Sequence, residues 1–207
     1  MNDQSFGALV ESLGQRSPTP GGGAAAAMAA CMGTALLLMV VRFSRGKKQN
    51  VAREDDLARV EDLLQGHLQR LMPMAERDCA AFDQVSKAYA MPKATEAEQE
   101  IRGRAIQEAM VGAMVVPEEA LCMVRDVCRA MSGVVDCVGK NIVSDLASAS
   151  ALLLAAGEGA LLNVRVNAAY LTNRELADGT VVRAKQVLAE IRDTHRSIGT
   201  TVEKLLG

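Results

Sequence analysis

Carboxylates, amides and lysines stand in this chain where helices begin, end or turn inward, and these are groups that move protons and bind anions. Asp78 and Phe82 share a helical face at i and i+4, with Asp83 beside them and Pro92-Lys93 following. Asn141 and Asp145 repeat that spacing around Ser144, and Asn163 and Asn167 repeat it again. The last two lie in an apolar stretch, where an unpaired amide costs about 1–3 kcal/mol, so each needs a partner across helices or on a ligand. The corner Ser17-Pro18-Thr19-Pro20-Gly21-Gly22-Gly23 precedes an uncharged helical run. Its main-chain N–H groups can bind an anion or merely start the helix. Lys47 and Lys48 follow that run. Together such groups make a small-molecule pocket in an apolar body; singly, each also fits a solvated helix face or a cap.

Other chemistries find little support. His67 and His195 have no metal-binding spacing, and the five cysteines are odd in number with no C-x-x-C pair. No metal, cofactor or disulfide framework is expected, and the cysteines read as reduced thiols of a cytoplasmic protein. The run from Gly133 to Asn141 mimics a phosphate loop, but five residues separate Gly133 from Gly139 where four are required, and Asn141 stands where Ser or Thr belongs. A net charge of −2, with three Phe, two Tyr and no Trp, gives no basis for nucleic-acid binding.

The elements that must position these groups read as helices. Hydrophobic residues make up 49% of the 207, Ala and Met are abundant and β-branched clusters are scarce, which predicts an all-α fold: a single-domain bundle of long helices over residues 1–207 around a buried Ala-rich central helix. Phe6, Leu9, Val10 and Leu13 predict a short amphipathic helix over 5–13. A fully buried helix follows over about 24–43, then a helical pattern from about 51 that kinks or breaks at Pro73 and continues to about 90. Thr95 and Glu98 form a capping box, Pro117 kinks or divides the next helix, 142–171 is a long apolar segment, 173–179 a turn and 181–206 a final amphipathic helix. The 24–41 run passes a length test for a membrane span, but its Ala-rich half gains little from lipid and no second span is expected. Two segments apolar on nearly all sides are hard to cover in one domain, so a homodimer or larger symmetric assembly is expected.

Taken in order, the motifs resemble the cyclodeaminase/cyclohydrolase family of folate enzymes. Pro18-Thr19-Pro20-Gly21-Gly22-Gly23 before an Ala-rich helix resembles its opening motif, and Gly46-Lys47-Lys48 the motif after its first long helix. Asp78-x-x-Ala81-Phe82-Asp83 with Tyr89 and Pro92-Lys93 resembles its central motif. Asn141-x-x-Ser144-Asp145 and Ala160-Leu161-x-Asn163-Val164-x-Val166-Asn167 resemble its C-terminal motifs. The likeness covers nearly the whole chain and departs at Gly139-Lys140-Asn141, one residue shorter than the expected Gly-Asn-x-Asn turn.

The resemblance implies an all-helical dimer with a tetrahydrofolate derivative bound in a cleft that two subunits can share. The activity it implies first is hydrolysis of 5,10-methenyltetrahydrofolate to 10-formyltetrahydrofolate; cyclodeamination of 5-formiminotetrahydrofolate is the alternative. Lys93, Asp145 or Asp78 would carry the proton. Asn141, Asn163 and Asn167 would read the pterin or hold water, with Ser17, Thr19, Pro20, Phe82 and Ser144 lining the site. Either the amides of Gly21, Gly22 and Gly23 or the pair Lys47 and Lys48 would take the anionic tail. A third possibility is a non-catalytic folate-binding or helical scaffold protein. The enzyme requires Lys93, Asp78 and Asp145 to converge on one pocket; the scaffold requires them scattered.

Overall fold

Every regular element of residues 4–207, which the computed structural model describes, is helical. The α-helices are α1 (Phe6–Leu13), α2 (Gly22–Ser44), α3 (Glu54–Leu71), α4 (Met74–Ala90), α5 (Glu96–Val134), α6 (Val143–Ala169) and α7 (Arg174–Leu206), with 3₁₀ turns at Lys48–Arg53, Val135–Cys137 and Lys140–Ile142. Local chemistry sets most boundaries. The Ser5 hydroxyl accepts from the Ala8 N–H and opens α1. Pro73 separates α3 from α4, and Thr95 and Glu98 form the reciprocal capping box that starts α5. Pro117 divides nothing: α5 runs through it for 39 residues. The turn expected over 173–179 is shorter. Asn173 accepts from the Leu176 N–H at 3.0 Å and Arg174 pairs with Asp178 one turn on, so α7 begins at Arg174 and carries Gly179 inside it.

Helices α2 to α7 share one apolar core. Within it α2 packs on α3, α4, α5 and most extensively on α6. Gly22 lies by Asn163, Ala26 by Gly159 and Gly33 by Leu153, a register that runs α2 and α6 antiparallel. The approach is close. A Cβ on Gly33 would stand 2.9 Å from Leu153 Cγ, and one on Gly159 2.9 Å from Ala26 Cβ.

Two expectations need correction. Helix α2 is not fully buried: Met32, Ala35 and Phe43 are exposed, because its neighbours leave one side open. Helix α6 likewise leaves Ala151, Ala155, Leu162 and Val166 exposed. A second span candidate also exists, since Lys140–Ala169 passes the same length-and-hydropathy test as Gly22–Ser44, both being about half buried in the bundle. Helix α1 buries no residue. Its Phe6, Leu9, Val10 and Leu13 face Met28, Cys31 and Met32 of α2 across an apolar groove of about 460 Å³. All five cysteines are free, and burial pushes the Cys31 thiol to about 11 and the Cys128 thiol to about 12.

Candidate functional site

The N-terminus of α2 meets a half-buried carboxyl group. Asp78, on α4, is more than half buried and accepts the main-chain N–H of Ala24 in the first turn of α2. Burial pushes its carboxyl above the usual carboxylate range, and the Ala24 N–H opposes that shift. Gly23 makes the contact sterically feasible, because a Cβ there would lie 2.1 Å from Asp78 Oδ1. Gly22 faces a roomier neighbour, Asn163 Nδ2, at 3.7 Å from its hypothetical Cβ. Gly23, Met74, Asp78, Val116 and Pro117 border a void of about 10 Å³, room for one small molecule the size of water. The corner itself is closed by the Ser17 hydroxyl donating to Thr19 O at 2.8 Å, with a cis Thr19–Pro20 bond. Thr19 and Pro20 face Cys79, Ala80 and Asp83 across an open groove of about 370 Å³.

Both asparagines of α6 find protein partners. Asn163 Nδ2 donates to Gly159 O on its own helix at 2.9 Å, and Asn167 Nδ2 donates across to Ala113 O of α5 at 2.8 Å. Among the described residues no protein group donates to either amide oxygen, which leaves both as acceptors.

Lys47, Lys48, Asn141, Ser144 and Asp145 lie toward the other end of α2. There Gly46 takes φ +67°, the left-handed conformation that favours glycine, and its N–H donates to Glu54 Oε2 at 2.9 Å. Arg45 donates to Glu54 and to Glu61, and Arg42 to Glu61. The Gly46 N–H and Arg45 hold the Glu54 carboxyl below its usual range; Arg42 and Arg45 do the same for Glu61. The arginines are therefore neutralised, whereas Lys47 and Lys48 stand exposed without a partner among the described residues. Asn50 is buried and its Nδ2 donates to Ser44 O and Cys137 O, both at 2.8 Å. That side chain ties the lysine turn to the segment carrying Asn141, Ser144 and Asp145. Asn141 and Ser144 are exposed, and Asp145 is half-buried in the first turn of α6.

Within one chain, then, Lys93, Asp78 and Asp145 do not converge. Asp145 lies 18 positions before Asn163, about 27 Å along α6. Lys93 is exposed in the α4–α5 connection, at least about 18 Å of helix beyond Asp78. Phe82 is one turn from Asp78 and partly exposed. Asp78, Gly22, Gly23 and Asn163 form one cluster; Lys47, Lys48, Asn141, Ser144 and Asp145 lie toward the other end. Sequence reasoning missed Glu54 and Asn50, whose partners include main-chain groups six to 87 positions away. The acid at the start of α3 was the available signal for Glu54; Asn50 had none. Among the described residues no three His, Cys, Asp or Glu side chains gather as metal ligands.

Comparison with known proteins agrees over almost the full length. The formiminotransferase-cyclodeaminase family model matches residues 5–186. A methenyltetrahydrofolate cyclohydrolase of Methylorubrum extorquens is 35% identical over 201 residues, 97% of each chain. The formimidoyltransferase-cyclodeaminase of Gallus gallus is 30% identical over 96% of this chain, which spans 37% of that relative's length. A crystal structure of formiminotetrahydrofolate cyclodeaminase from Thermotoga maritima superposes with a TM-score of 0.88 at 25% identity, covering 99% of this chain and 98% of that one.

Proposed function

The chain belongs to the formiminotransferase-cyclodeaminase family, and on that premise we propose that it is a cytoplasmic enzyme acting on the one-carbon unit between N5 and N10 of a tetrahydrofolate. Hydrolysis of 5,10-methenyltetrahydrofolate is the reading we put first. The observation that carries it is the end-to-end match to a free-standing cyclohydrolase.

The methenyl carbon is already electrophilic as part of a delocalised cation, so the protein's task is proton transfer. Water adds to that carbon and loses a proton; the bond to N5 then breaks as N5 gains one, leaving the formyl group on N10. Asp78 suits the proton carrier, since its carboxyl is half enclosed, raised by burial and fixed by the Ala24 N–H. A carboxylate there also stabilises the cation electrostatically.

Cyclodeamination is the second reading, and more of the comparisons support it: the family description, the Thermotoga structure and the Gallus relative all carry that activity in their names. N10 attacks the formimino carbon and ammonia departs, through a tetrahedral centre flanked by the same two nitrogens. One site serves both. Absorbance assays of methenyl hydrolysis and formimino consumption, run side by side on purified enzyme, separate them. Turnover of neither substrate would remove the proposal in favour of a non-catalytic folate-binding or scaffold protein.

The working unit in this proposal is a homodimer. The open sides of α2 and α6 are lined by Met32, Ala35, Ala151, Ala155 and Leu162, and the two polar clusters lie toward opposite ends of that antiparallel pair. A two-fold axis through the middle of the pair sets the Asp78 end of one protomer against the Asp145 end of the other. Lys47 and Lys48 then take the anionic tail. The rival receptor, the α2 N-terminus, already carries the Asp78 carboxylate on Ala24 N–H.

A further inference from the structure

A proline inside a helix leaves the carbonyl four residues earlier without its N–H donor. In α5 that proline is Pro117, and the carbonyl it orphans is Ala113 O. Ala113 O is also the acceptor of Asn167 Nδ2, reaching across from α6 at 2.8 Å. We infer that Asn167 is a positioning residue that replaces the hydrogen bond Pro117 removes, and that it acts on the reaction through the seat of Asp78 rather than by donating to substrate. The mechanical link is short: Pro117 and Val116 border the same void as Asp78, Gly23 and Met74. Holding the 113–117 turn against α6 therefore fixes one wall of the space into which the carboxyl packs. The effect on turnover rests on the enzymatic proposal above; the clip itself does not.

Restoring the missing N–H tests this. Pro117→Ala gives residue 117 a donor for Ala113 O and makes the asparagine redundant, so the two substitutions should be strongly coupled. Asn167→Ala in the native background should lower kcat by about tenfold with little change in KM, and lower the unfolding midpoint by about 3–6 °C. In the Pro117→Ala background the same change should cost less than about twofold in kcat and less than about 1 °C. Equal losses in both backgrounds, or a rise in KM alone, would overturn the inference in favour of a substrate contact. If neither folate is turned over, the unfolding midpoints still decide the clip. Should the variants not fold, the carbonyl ¹³C shift of Ala113 in the native chain is the second readout. It should stay constant on adding a saturating folate substrate, and a shift toward a weaker hydrogen bond would refute the clip.

Discussion

The two ends of the α2/α6 pair solve opposite electrostatic problems. At the α2 N-terminus the Asp78 carboxyl is drawn inside, against Gly23 and toward the Ala24 N–H. Near the α2 C-terminus Glu54 and Glu61 absorb the arginines, and Lys47 and Lys48 stay exposed and, among the described residues, unpaired. Burial tunes a proton carrier; exposure keeps cations available to an incoming anion. In the proposed enzyme one end would serve chemistry and the other capture; the antiparallel register holds the two ends about 30 Å apart in one chain.

Substitution of Asp78 should expose this contrast most strongly. Asp78→Asn keeps an acceptor for the Ala24 N–H and removes the titrating proton, so kcat should fall about 10²–10³-fold. Its stability should move the other way. The Asp78 carboxyl lies above its unfolded value in the native state, so the stability it contributes is complete below the unfolded value and is lost as pH rises through the native one. At neutral pH the asparagine variant should therefore be at least as stable as the native chain and should lack that part of the acid-side dependence. Unfolding followed across pH 3–8 measures it.

Glycine substitutions come next in size. Gly23→Ala drives a methyl into the Asp78 carboxylate and should cost about 2–4 kcal/mol in thermal unfolding together with most activity, whereas Gly22→Ala should stay within about 0.5 kcal/mol. Similar costs at both positions would mean that the corner serves helix initiation and not the carboxylate. Lys93→Met should have the smallest effect, under about threefold in turnover, because the side chain is exposed and remote from both clusters within one chain. A larger loss would require a partner subunit to bring Lys93 into the site.

Much of the architecture was legible because it is written in local pattern. The Thr95–Glu98 box, the break at Pro73 and the α1 stripe each depend on residues within a turn or two. Gly179 misled for the same reason: a glycine beside polar residues reads as a turn, and only the Asn173 cap and the Arg174–Asp178 pair show the helix starting earlier. The candidate site residues stood out as a set only through their resemblance to a family, and their arrangement in space was not legible. That Gly23 accommodates Asp78, or that Asn167 serves the carbonyl freed by Pro117, depends on contacts 54 or more positions apart, which no periodicity reports. Nor does spacing reveal that Asp78 and Asp145 face opposite ends, since that follows from the antiparallel packing of α2 on α6.

Subunit complementation tests the shared site most directly. Asp78→Asn and Asp145→Asn proteins, each near inactive alone, are unfolded together and refolded as an equimolar mixture. Random pairing makes half the dimers mixed, and each mixed dimer has one site carrying both substitutions and one carrying neither, so about a quarter of native turnover should return. A mixture no more active than its separate components, while hybrid dimers are shown to form, would contradict a site assembled from the two ends of different subunits.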